Sequence, residues 1–174
     1  MLSGRKVLWM DAQLKKQVLR TFTYGLYAVS CVDEGVVNAF TANWLSQVSF
    51  EPPLIAVSIE NETKSLPMIL RSRAFVVNVL RTDGQDEAKP NRALAGALGK
   101  SALKNPDKLE GIAYTPGPGG APILEDALAW VACEVRHTVE AGDSTLVVGE
   151  VVDLGTLGEG QPLTMNEAGF RHAG

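Results

Sequence analysis

The chain is poor in the residues that build covalent or metal-held frameworks. Two cysteines, Cys31 and Cys133, and two histidines are spread over 174 residues. Both cysteines sit in apolar, strand-like contexts with no second Cys or His at ligand spacing. They read as buried thiols, which argues against a disulfide scaffold or a zinc centre. No apolar run reaches the roughly 18 residues that cross a bilayer, and the N-terminus lacks a signal-like apolar segment. No Gly-x-Gly-x-x-Gly follows a strand, which speaks against a Rossmann domain. Lys and Arg form no stripe with interleaved aromatics, and the net charge is −4, so nucleic acid is not the expected partner. His137 and His172 have no nucleophile nearby in sequence, and the carboxylate pairs Glu60/Glu62 and Glu125/Asp126 fall in polar loops. Hydrolysis by side chains alone is therefore unsupported. The expectation is one soluble cytoplasmic domain whose chemistry, if any, is carried by a borrowed cofactor.

What the chain does have is core: 45% of its residues are hydrophobic, enough for a single domain that needs no staples. Residues 1–13 read as an N-terminal arm and residues 14–174 as the domain. Leu14, Val18, Leu19 and Phe22 share one stripe of a helix opposite Lys15, Lys16 and Arg20. Strands are expected over 25–32, 38–44, 54–59, 74–80, 128–140 and 145–154. Asp33-Glu34-Gly35 and Ala141-Gly142-Asp143 supply the hairpin turns. A short helix is expected over 66–71 and a mostly helical stretch over 80–99, limited by Pro90. Thr115-Pro-Gly-Pro-Gly-Gly-Ala-Pro122 reads as a surface loop. Six strands joined mainly by hairpins predict a mainly β, closed antiparallel barrel with short flanking helices.

The densest functional signal lies between Asn38 and Pro53. Thr41, Asn43, Ser46, Gln47 and Ser49 stand inside an otherwise apolar run. A buried polar group without a partner costs roughly 1–3 kcal/mol, so a series of them points to something polar docking there. After the next strand comes Ser58-Ile-Glu-Asn-Glu-Thr-Lys-Ser65. Thr63 or Ser65 could cap the helix that follows, and a helix N-terminus beside Lys64 suits a phosphate. The plain alternative is a solvated loop with a capping hydroxyl. Trp44 can pack on a flat heteroaromatic ligand or fill an ordinary core or interface position.

Taken in order, Tyr24-Gly-Leu-Tyr-Ala-Val-Ser30, Asn38 to Ser58, Ser65, Phe75-Val-Val-Asn-Val-Leu80 and Gly142 to Val151 resemble the flavin reductase-like, FMN-binding split-barrel family. The likeness runs over about residues 14–155, and Pro162-Leu-Thr164 with Gly169-Phe-Arg171 resembles a looser form of that family's C-terminal segment. It implies a six-stranded Greek-key split barrel, a homodimer, and one FMN per subunit near the dimer interface. It places Thr41, Ala42, Asn43, Trp44, Ser46 and Gln47 along the ring and ribityl chain. Ser58, Ile59, Asn61, Thr63, Lys64 and Ser65 are implied nearer the ribityl and phosphate.

The implied activity passes electrons from NAD(P)H through FMN to free flavin, a partner monooxygenase, a small redox protein or a ferric chelate. One departure stands out: many such reductases carry Gly-Asp-His before the last strand pair, and here it is Gly142-Asp143-Ser144. That favours the alternative of an FMN-binding electron relay without efficient NAD(P)H turnover. A barrel that has lost its flavin, or that binds another planar ligand such as haem, is the third reading.

Overall fold

The computed structural model describes residues 11–82 and 90–171. In chain order the elements are α1 (Ala12–Leu19), β1 (Tyr27–Asp33), β2 (Val36–Ala42), β3 (Leu45–Phe50), β4 (Pro53–Glu60), α2 (Ser65–Ser72), β5 (Ala74–Val79), β6 (Arg81–Thr82), α3 (Pro90–Leu98), β7 (Tyr114–Pro116), β8 (Pro122–Leu124), β9 (Ala129–Ala141), β10 (Ser144–Thr156), β11 (Gln161–Pro162) and α4 (Met165–Ala168). A mainly antiparallel β-fold with short marginal helices is thus confirmed. Its main sheet has the order β2-β1-β5-β9-β10-β4-β3. The seventh strand is β3, part of the polar run that the sequence pattern left without a strand of its own.

Local chemistry accounts for the hairpins. Glu34 and Gly35 both adopt positive φ, 49° and 79°, which matches the tight turn that the right-handed twist of paired strands favours. Gly142, at φ 71°, turns β9 into β10. Asp11 caps α1 by accepting from the Leu14 N–H at 2.7 Å. The expected apolar stripe of that helix is not buried, however: Leu14, Val18, Leu19 and Phe22 stay 46–58% exposed, because α1 lies outside both large core clusters.

The central strands bury both faces. Val29 and Cys31 of β1 and Phe75 and Val77 of β5 enter a core with Val57, Ile59, Ile69, Val135 and Val147. The alternate residues face the other way. Ser30 and Asn78 are fully buried there beneath β8. This explains a departure from expectation: residues 115–122 are not wholly loop, because β7 and β8 pair on either side of the Gly/Pro turn. Pro116 and Pro122 face each other at the end of that pairing, where neither needs an N–H. Asn78 fixes the hairpin. Its Nδ2 donates to the Ala28 and Pro122 carbonyls and to Ser30 Oγ, and its Oδ1 accepts from the Leu124 N–H at 2.8 Å.

Of the stretch expected to be mostly helical from 80 to 99, Pro90–Leu98 is helical. Arg81 and Thr82 pair with Pro162 and Gln161 instead, and 83–89 lie outside the described residues. Pro90 opens the described part of this helix, a position where its missing N–H costs nothing. Of the expected arm over 1–13, residues 1–10 lie outside the described residues, and Asp11, Ala12 and Gln13 form the cap and start of α1.

Asn78→Ala should lower the unfolding free energy by about 2–3 kcal/mol, since it strands buried partners on β1 and β8. A denaturant titration checks this; a midpoint within error of the parent would show that the network is not needed.

Candidate functional site

β2 and β3 occupy opposite ends of the strand order, yet only Asn43 and Trp44 separate them in sequence. The sheet must therefore curl until its two edges meet at that corner. The Ser58 N–H of β4 donates to the Trp44 carbonyl at 2.9 Å and closes the junction. A cleft of about 240 Å³ opens beside it.

Three pieces of chain line the cleft. The first is Phe40 to Trp44, the end of β2 and the corner itself. The second is Ser58 to Glu60 with Glu62, Thr63 and Lys64, the end of β4 and the approach to α2. Thr63 Oγ1 donates to the Glu60 carbonyl at 2.8 Å and accepts from the Leu66 N–H at 3.4 Å, which holds this turn against the first turn of α2. The third is Leu98 to Ala102 with Lys108, the C-terminal end of α3 and the chain beyond. Thr41 Oγ1 donates to the Ala95 carbonyl at 2.6 Å and fixes α3 to β2.

Eight of the twelve residues expected at the site come together here: Thr41, Ala42, Asn43, Trp44, Ser58, Ile59, Thr63 and Lys64. The other four lie elsewhere. Ser46 and Gln47 are exposed on β3, where Ser46 Oγ donates to the Gln47 carbonyl and Gln47 Nε2 to the Ser49 carbonyl. Asn61 is exposed and accepts from Thr145 Oγ1 at 2.8 Å. Ser65 is buried inside α2 and accepts from Asn38 Nδ2 at 2.7 Å, so its hydroxyl serves packing and not a helix cap. Ser144, the departure from the family pattern, is 2% exposed and paired in register with Glu60, and is not among the residues that line the cleft.

The residues that sequence reasoning missed are cationic. Lys100 and Lys108 join Lys64 around the cleft. Lys108 is only 7% exposed, and its Nζ donates to the Leu98 carbonyl at 2.9 Å and the Lys100 carbonyl at 3.1 Å. It thereby ties the end of α3 to the cleft wall. Burial pushes its ammonium down to about 8, Lys64 adds to the fall, and Cys31 opposes it. It remains charged at neutral pH. Lys64 and Lys100 form no ion pair with a carboxylate among the described residues. The signal that could have revealed Lys108 is weak: it sits between Asp107 and Leu109 in a charged stretch that reads as a solvated face.

This geometry offers a partly apolar cleft with lysines in its lining. Phe40, Ala42, Trp44, Ile59, Leu98 and Ala102 supply the apolar part, and three lysines against two exposed glutamates supply the charge. Such a donor set fits a planar heteroaromatic ring that carries a phosphate.

Residues 19–174 match the flavin reductase-like domain family. The chain belongs to that family. It is 32% identical over 162 residues to a flavin reductase of Pseudomonas putida, covering 92% of this chain and 89% of that one. It is 30% identical over 154 residues to HsaB, the reductase subunit of a flavin-dependent monooxygenase of Rhodococcus jostii, covering 88% and 74%. Among solved structures, the flavin reductase PheA2 in its native state superposes with a TM-score of 0.72 at 32% identity, over 89% of this chain and 93% of that one.

A stability test isolates Lys108. Its proton leaves the native state near pH 8 but the unfolded chain nearer 10.5. Over that window the unfolded state holds more protons, so stability gained from this group rises with pH. Parent minus Lys108→Met stability should therefore climb from about pH 8 upward in thermal denaturation at constant ionic strength. A difference that stays flat would contradict the burial of a charged Lys108.

Proposed function

We propose that this chain is an FMN-dependent oxidoreductase that passes electrons from NAD(P)H through FMN to free flavin or to a partner monooxygenase. As a flavin reductase-like protein it is an NAD(P)H:flavin oxidoreductase. The choice of FMN rests on one observation: Lys64 and the Asn43–Trp44 corner, far apart in sequence, border the same cleft. Bound FMN supplies the hydride and electron chemistry, which no side chain here can replace.

The protein's part is binding and orientation. Lys64, Lys100 and Lys108 would attract the dianionic phosphate, with the Thr63 turn holding Lys64 in place. The corner at Asn43 and Trp44 would set the polar rim of a flavin ring between the end of β2 and the end of β4, where the Ser58 N–H already engages the Trp44 carbonyl. Trp44, 39% exposed, and Ile59 would shield its faces from water. Thr41 acts indirectly, by fixing α3 and hence the far wall.

The same reading includes a homodimer. The uncovered stripe of α1, the edge strand β3 with Val48 at 55% and Phe50 at 89% exposure, and Leu154 at 64% leave apolar surface that a second copy would cover. A covering partner would also bring new groups beside Ser46 and Gln47. The monooxygenase as electron acceptor follows the nature of the relatives, HsaB among them.

Lys64→Ala tests the phosphate assignment. Loss of a charge-assisted contact of ~1.5–3 kcal/mol raises the FMN dissociation constant roughly ten- to hundredfold. Fluorescence quenching of FMN reads it, and unchanged affinity would remove Lys64 from the phosphate site.

A further inference from the structure

The two described methionines stand in opposite environments. Met68 is 3% exposed inside the main core. Met165, the first residue of α4, is half-buried and borders a hollow of about 260 Å³. Arg20 and Arg171 in the lining of that hollow are exposed. Arg20 lies opposite the apolar stripe of α1, so water-sized molecules enter even with that stripe covered. Met165 Sδ also accepts from Asn43 Nδ2 at 3.0 Å, and Asn43 belongs to the corner that borders the cleft. One thioether thus stands between solvent and the corner.

That contact has little slack. The Met165 N–H donates to the Tyr24 carbonyl at 3.0 Å, and the Phe170 N–H donates to the Met165 carbonyl at 2.9 Å. Thr164 and Glu167 close a reciprocal capping box at the same turn. The thioether packs against the cluster of Leu26, Leu80 and Leu163. On the other side, Asn43 is one of the two residues that join β2 to β3, and its neighbour Trp44 is held by the Ser58 N–H. A thioether is a weak acceptor and an apolar group. Oxidation moves the acceptor from sulfur to an oxygen one bond away and makes the group polar. Asn43 must follow that oxygen or lose its partner. Either response moves the corner, because α4 is anchored by its own hydrogen bonds.

We propose that Met165 is a sulfoxidation site, and that its oxidation by hydrogen peroxide displaces Asn43 and loosens flavin binding in the cleft. Sδ attacks one oxygen of the peroxide. The S–O bond forms, the O–O bond breaks, and the departing oxygen leaves as water with both protons. Sulfur is oxidised by two electrons and peroxide is reduced by the same two. The oxidant arises beside such a site: reduced flavin that meets no acceptor gives two electrons and two protons to dioxygen, which forms peroxide. The source of peroxide and the loss of flavin affinity rest on the flavin reading, whereas the reactivity of Met165 does not. Oxidation thereby slows flavin reduction when electrons outrun the acceptor.

The test compares the parent with Met165→Leu, a swap that nearly conserves volume and removes the sulfur. Both proteins are treated with hydrogen peroxide, mapped by peptide mass spectrometry, and titrated with FMN before and after treatment. Any oxidation at Met1 and Met10 is common to both, so the difference isolates Met165. The Met165 peptide should gain one oxygen well before the Met68 peptide does. Tryptophan emission should change in the parent alone, through Trp44. FMN affinity should fall roughly tenfold in the parent alone, the equivalent of about one hydrogen bond. Met165 that oxidises no faster than Met68 overturns the inference. So does an oxidised parent that binds FMN as tightly as the untreated one. Should the untreated parent bind no FMN, the flavin reading fails on its own. An emission change confined to the oxidised parent then upholds the displacement of the corner, and an unchanged emission overturns it.

Discussion

Everything that makes this fold more than a stable sheet depends on a two-residue connection. Asn43 and Trp44 join strands at opposite edges of a seven-strand order, so the sheet cannot lie open. It must curl until the end of β2 meets β4, where the Ser58 N–H reaches the Trp44 carbonyl. An edge normally offers its unpaired N–H and C=O groups to any passing strand. Here part of that edge is drawn into a concave corner that borders the cleft.

Burial on both faces lets the corner hold its shape. The inner residues of β1 and β5 fill the barrel, and their outer residues are covered by the β7–β8 hairpin through Ser30 and Asn78. A polar network with its partners in place costs little and specifies one arrangement, whereas a broken one is costly. On the other side α3 is hung from Thr41, and Lys108 clamps the chain that leaves it. The cleft wall is therefore built from hydrogen bonds to backbone carbonyls, made by side chains that the sequence presents as ordinary polar residues.

That explains what could and could not be read in advance. Strand periods, the Glu34-Gly35 turn and the Gly142 turn are local, and local chemistry predicted them. The polar run is legible as a unit, but its division at Asn43 is not: the fold brings Thr41 to Trp44 to the cleft and leaves Ser46 and Gln47 exposed on β3. Of the two candidate capping hydroxyls, Thr63 accepts from the Leu66 N–H, while Ser65 is taken by Asn38, 27 residues away, a partner that no local pattern reveals. Lys100 and Lys108 were missed for the same reason: a lysine in a charged loop carries no mark of burial, and only the fold brings it to Cys31 and Lys64. The stripe on α1 was legible as apolar, but nothing in its period says whether its own chain covers it.

The central claim is that the corner cleft holds FMN for reduction by a nicotinamide donor. An anaerobic visible spectrum of the FMN-loaded protein, recorded before and after excess NADH and then NADPH, tests it most directly. The account predicts flavin absorption that stays with the protein through gel filtration and bleaches when one of the two donors is added. Protein that elutes without flavin, or bound flavin that neither donor bleaches, would contradict it.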